Sequence, residues 1–203
     1  MAIVVFTGGA RSGKSTAAEN LAAERMSDGA RVVALVFGRT QDDAEMTDRV
    51  ARHREDRPDG FEVVEVERPD ELLSGITDDS LVLLDCLGTL VGLVMDEEWP
   101  TADVEQELLH AEGELPPGYA ERVESRVEAL VSALCLRRGD TIIVTNEVGD
   151  GLVPAYASGR LFRDVVGRAN RTLVNAADGA YLTVAGRLID LSASNRSAKW
   201  PVD

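Results

Sequence analysis

The octapeptide Gly8-Gly9-Ala10-Arg11-Ser12-Gly13-Lys14-Ser15 matches G-x-x-x-x-G-K-[ST], a pattern in which each fixed position serves an anion. Glycines let the backbone turn tightly and point successive N–H groups inward. A helix opening near Lys14 aims its positive dipole end at the same place. Lys14 adds a mobile charge for β and γ phosphates, and Ser15 a hydroxyl for Mg2+. The chain has 21 basic residues but only two lysines, Lys14 and Lys199, so one of the two stands where such a loop needs it. The pattern implies a nucleoside triphosphate as ligand.

Three further groups of residues could act beside that loop. Asp85 closes the apolar run Leu81–Leu84. A carboxylate there suits the metal side of a phosphate site, or it caps the next helix. His53 is one of only two histidines and lies among Arg49, Arg52, Arg54 and Arg57, with Glu55 and Asp56 between. Nearby cations disfavour the imidazolium, and a neutral imidazole can attack phosphorus; the plainer reading is a surface histidine. His110 sits among Glu105, Glu107 and Glu112 and reads as solvated. The third group follows an apolar run ending at Thr145: Asn146-Glu147-Val148-Gly149-Asp150-Gly151, Pro154, then Arg160, Arg163, Asp164, Gly167, Arg168 and Asn170. Its arginines are either surface charges or phosphate ligands.

The elements that position these groups alternate. Ile3–Thr7, Arg31–Phe37, Phe61–Val66, Leu81–Leu84 and Thr141–Thr145 read as strands. Ser15–Met26, Asp43–Glu55, Tyr119–Arg137 and Leu161–Ala177 read as helices. Ala180–Ala185 and Leu188–Leu191 form a hairpin across Gly186-Arg187. Buried strands alternating with helices predict an α/β fold with a mostly parallel sheet, in which loops at the carboxyl ends of the strands build the site.

Composition bounds the rest. A chain of 203 residues makes one domain, here 1–191 with a frayed tail over 192–203. Pro69 to Glu121 contains no Lys or Arg, and its later part, Asp96–Pro117, is an acidic excursion. It reads as a solvated loop or helix, or more sharply as a subunit contact or rim. The net charge of −15 disfavours nucleic acid and anionic membranes as partners. Cys86 and Cys135 read as buried free thiols, which fits a reducing cytosol. No run suits a membrane span, and no basic flank precedes the first apolar run as in a signal peptide.

Taken together, the motifs resemble the bifunctional adenosylcobinamide kinase and adenosylcobinamide-phosphate guanylyltransferase family of cobalamin biosynthesis. The likeness rests on four motifs in order: Gly8–Ser15; D-x-E-M-x-x-R-[IV]-x-x-H-x-x-x-R-P over Asp43–Pro58; T-N-E-V-G-x-G-x-V-P over Thr145–Pro154; and R-x-F-R-D-x-x-G-x-x-N over Arg160–Asn170. The resemblance implies a RecA-like P-loop NTPase domain, assembly as homotrimers, and two reactions using ATP or GTP with Mg2+. Adenosylcobinamide is phosphorylated, and GMP then passes from GTP to adenosylcobinamide phosphate through a guanylylated histidine, here His53. By the same carry-over Gly38, Arg39, Arg54, Glu55, Asp56, Arg57, Glu65 and Asp85 lie near the nucleotide, with Ser15 and Asp85 on the metal. The chain departs from the family pattern at Arg52, where some relatives carry a second histidine, at Phe37–Thr40, and at Leu90–Leu93. Two readings compete with this one: a small P-loop kinase without a covalent intermediate, and a GTP-binding regulatory module without catalysis.

Overall fold

The computed structural model describes residues 1–37, 60–100 and 114–192. Among these residues seven strands form one sheet: β1 (Ile3–Gly8), β2 (Arg31–Phe37), β3 (Glu62–Val66), β4 (Ser80–Asp85), β5 (Thr141–Val144), β6 (Gly179–Val184) and β7 (Arg187–Asp190). Their order is β3-β2-β4-β5-β1-β6-β7. Every pairing is parallel except the β6–β7 hairpin. Among the described residues four helices flank the sheet: α1 (Lys14–Ser27), α2 (Leu87–Glu98), α3 (Tyr119–Leu136) and α4 (Ala157–Ala176). This is the α/β architecture expected of a P-loop NTPase.

Side chains alternate across each strand, so the central strands divide their residues between two cores. Phe6, Leu81, Leu83, Ile142 and Val144 pack with Ala18 and Ala22 of α1. Val5, Leu35, Val82, Leu84 and Ile143 face the opposite side, with α2, α3 and α4. A strand covered on both faces reads as an unbroken apolar run, and Leu81–Leu84 of β4 is one.

Helix α2 is a finding that the sequence reading leaves unassigned. Seven of its residues, Leu87, Gly88, Leu90, Val91, Leu93, Val94 and Met95, are buried. Its last residues, Asp96–Glu98, belong to this helix rather than to a separate acidic excursion. Tyr119 at the start of α3 secures the end of α2: its hydroxyl donates to the Met95 carbonyl (2.8 Å), and its ring meets Trp99 edge-on. Burial pushes the Tyr119 phenol up to about 12, with Asp96 and Glu98 adding to the shift. Arg126 of α3 joins Asp70, Glu97 and Glu98 at 2.9, 2.6 and 3.1 Å.

Several boundaries move. α4 begins at Ala157, a turn before Leu161. The hairpin turns on Ala185-Gly186, with Val184 opposite Arg187. Ser192, read as tail, accepts the Ala180 N–H at 2.8 Å. Cys86 and Cys135 are free thiols but only half-buried, and burial raises the Cys135 thiol. The expected helix Asp43–Glu55, His110 and residues 101–113 of the acidic segment lie outside the described residues, as do 193–203.

Candidate active site

In a parallel sheet the carboxyl ends of all strands open on one edge. Here that edge carries the Gly8–Ser15 loop after β1, Asp85 at the end of β4, and the loop 145–156 after β5.

The phosphate loop is held mainly by backbone. The β1–β5 ladder runs on past the strands: Thr145 N–H donates to Phe6 O (2.9 Å), and Glu147 N–H to Gly8 O (3.0 Å). Gly8 has φ 155, and a Cβ built there meets the Thr183 carbonyl oxygen at 2.4 Å and Ser12 Oγ at 2.8 Å. No residue but glycine fits. Gly13 caps α1 at φ 95, and Arg11 adopts φ 56, a region that non-glycine residues rarely visit. Helix α1 thus opens at Lys14 with its first amides at the loop. Lys14 is buried, and its ammonium donates to the Gly9 carbonyl at 3.1 Å. The Ser12 hydroxyl is also buried, with no hydrogen-bond partner among the described residues. Buried polar groups ordinarily have partners, so this hydroxyl is an unmet polar group inside the loop.

Asp85 is half-buried at the last position of β4, in register with Val144 of β5. The N-cap of α2 is Cys86, without a side-chain cap, so Asp85 does not cap that helix. One strand, β5, stands between β4 and β1. That spacing puts Asp85 roughly 10 Å along the sheet from the P-loop strand, close enough for a metal-bound phosphate between them. Among the described residues no three or more His, Cys, Asp or Glu side chains form a metal cluster.

The loop after β5 is held by side chains. Buried Asn170 of α4 accepts from Thr145 Oγ1 (2.6 Å) and donates to Asn146 O (2.9 Å). Arg163 donates to the carbonyls of Gly151 (3.0 Å) and Gly149, and Arg160 to those of Pro154 (3.1 Å) and Ala155 (2.7 Å). Arg168 pairs with Glu124 of α3 at 2.8 Å. Arg160, Arg163 and Asn170 therefore make a scaffold for Thr145–Pro154, a role that the sequence reading did not give them. Their recurrence with that segment in one pair of motifs was the available signal. The loop presents Leu152, Val153 and Tyr156 to solvent.

Glu65 of β3 reaches the same edge, opposite Val36, but four strand spacings separate β3 from β1, roughly 19 Å. The structure brings Gly8–Ser15 and Asp85 together at one edge and places Glu65 at its far end. His53, Arg54, Glu55, Asp56, Arg57, Gly38 and Arg39 lie outside the described residues.

The profile of the family described as "Cobinamide kinase / cobinamide phosphate guanyltransferase" matches residues 4–191. The chain belongs to this family. Curated relatives agree with that assignment. It is 34% identical over 194 residues to the bifunctional adenosylcobalamin biosynthesis protein CobU of Escherichia coli K12, covering 91% of this chain and 96% of that one. The Salmonella typhimurium protein of the same name is 31% identical over the same shares. The bifunctional adenosylcobalamin biosynthesis protein CobP of Pseudomonas aeruginosa is 31% identical over 188 residues, 90% of this chain and 92% of that one. The match takes in the P-loop, Asp85 and both motifs of the scaffolded loop. No helix among the described residues is long and apolar enough to cross a membrane.

Proposed function

We propose that this protein phosphorylates adenosylcobinamide with ATP or GTP and then transfers GMP from GTP to adenosylcobinamide phosphate through His53. The carrying observation is the built phosphate site: the Gly8–Ser15 loop at the head of α1, with Asp85 two strands away on the same edge, in a chain of this family.

In the kinase step the aminopropanol hydroxyl of the corrinoid takes the γ phosphoryl group and gives up its proton, and the nucleoside diphosphate leaves. Positioning and charge neutralisation by the loop amides and Lys14 suffice for that step. In the transferase step an imidazole nitrogen of His53 bonds to the α phosphorus of GTP as pyrophosphate leaves. A phosphate oxygen of the substrate then forms its own bond to that phosphorus and displaces the histidine. Two displacements replace one hard reaction between two anions. Lys14 and the loop hold the β and γ phosphates that become the leaving group.

Arg54, Glu55, Asp56 and Arg57 flank His53 in sequence and, with Gly38, Arg39 and Glu65, contact the nucleotide in this reading. Mg2+ fits the donors present. Ser15 and Asp85 offer hard oxygens, and an ion that takes few protein ligands alongside phosphates and water needs no larger cluster. It would neutralise phosphate charge while Ser15 and Asp85 hold it. Assembly as a homotrimer and a cytoplasmic location complete the proposal.

The test is to incubate the protein with Mg2+ and GTP labelled at the α phosphate, denature it, and count label on the chain. GTP labelled at the γ phosphate is the control. Acid-labile α label that is absent from His53→Ala is the expected result. No retained α label points instead to the simple kinase, or, without turnover, to a binding module.

A further inference from the structure

The phosphate loop leans on the β6–β7 hairpin. β6 pairs with β1 in parallel, with Gly8 opposite Thr183. Thr183 is 1% exposed, and its carbonyl closes the space beside Gly8. The two-residue turn Ala185-Gly186 has φ 50 and 74, both left-handed, as tight hairpin turns require. That conformation delivers the Gly186 N–H to the Ser12 carbonyl at 2.8 Å. A Cβ on Gly13 stands 3.3 Å from Gly186 Cα, so the turn and the loop are in contact along the Ser12-Gly13 peptide.

The consequence follows from peptide geometry. In a trans peptide the C=O and the next N–H point in opposite directions. The Ser12-Gly13 bond is not among the cis peptides. With Ser12 O drawn outward to the hairpin, the Gly13 N–H is turned the other way, into the loop's concave side. We propose that Gly186 is a positioning residue for nucleotide binding. Its left-handed backbone anchors the Ser12 carbonyl and so aims the Gly13 amide at the bound phosphates. The hairpin, beyond the strands that carry the P-loop and Asp85, is then a working wall of the site. This rests on the reading of Gly8–Ser15 as the triphosphate loop.

The side-chain space at Gly186 makes a clean test. A Cβ there meets nothing within 4 Å, so the first side-chain carbon adds no clash and the left-handed backbone carries the effect. Asparagine tolerates a left-handed backbone, while valine strongly resists it. Equilibrium titration with GTP gives Kd for wild type, Gly186→Asn and Gly186→Val, with circular dichroism to establish folding. Gly186→Val weakens binding about tenfold, whereas Gly186→Asn stays within about threefold of wild type. The kcat of Gly186→Val changes less than Kd, because the anchored amide meets phosphate in the ground state as well as the transition state. If Gly186→Val does not fold, Gly186→Ala reads the same quantity, with a rise of about fivefold.

Val131→Ala, a deletion in α3 remote from the hairpin, separates positioning from general loss of stability. It lowers Tm and leaves the GTP Kd unchanged. Folded Gly186→Val with wild-type affinity would overturn the proposal, as would equal weakening in Val131→Ala. Wild-type protein that binds neither GTP nor ATP would instead defeat the reading of the phosphate loop, and the positioning role with it.

Discussion

Two loops meet at the carboxyl edge of the sheet, and they keep their shapes by different means. The Gly8–Ser15 loop is shaped by left-handed backbone at Arg11 and Gly13 and by main-chain hydrogen bonds to its neighbours. The 145–156 loop is shaped from outside, by Asn170, Arg163 and Arg160 reaching up from α4. A backbone-shaped loop leaves its amides and short side chains open to a ligand. A side-chain-shaped loop spends its polar groups on itself and turns apolar residues such as Leu152 outward. The first arrangement suits a phosphate, which several backbone amides turned inward can meet. The second suits a surface whose form must be kept while its contacts stay apolar.

Substitutions in each loop test that contrast, and Gly8→Ala has the largest expected effect. Its methyl group would collide with the Thr183 carbonyl and Ser12 Oγ. Overpacking of this kind costs about 1–3 kcal/mol, and here it falls on the loop itself. GTP affinity measured by titration drops about 100-fold. Asn170→Ala acts through the other loop. It strips partners from Thr145 Oγ1 and Asn146 O, and denaturant unfolding gives a loss of about 2–3 kcal/mol. Arg163→Lys is the smallest. An ammonium cannot fork between the Gly149 and Gly151 carbonyls as a guanidinium does. Stability moves by under about 0.5 kcal/mol, while amide exchange within 147–151 quickens about threefold. A large loss of affinity in Arg163→Lys with none in Gly8→Ala would invert the comparison.

The backbone-shaped loop was the legible one, because its shape is written in glycine spacing and one lysine. Asp85 was legible for a related reason: β4 is buried on both faces, so the first carboxylate after an unbroken apolar run marks the sheet edge. Helix α2 was not legible. It is apolar nearly all round, so it lacks the 3.6-residue stripe by which a half-buried helix declares itself. Gly186 was legible as a turn residue but its contact with the phosphate loop was not, since a hairpin glycine looks the same whether or not another loop leans on it. The scaffold of the 145–156 loop was visible as motif residues but not as contacts, because the hydrogen bonds joining Asn170 with Thr145 and Asn146 span 25 and 24 positions.

The strand order carries a consequence for how the chain is made. β1 leads the sequence, yet its neighbours are β5 and β6, with Ile3 opposite Thr141 and Val4 opposite Gly179. At the entry to β1 the Ala2 and Ile3 amides donate to Asp140 and Asp178. During synthesis, which proceeds from the N-terminus, the segment bearing the phosphate loop leaves the ribosome well before β5 and β6 and waits for them to emerge before either flank is paired. Nascent protein therefore acquires its triphosphate pocket only once β5 and then the β6–β7 hairpin have emerged to close around a strand made long before.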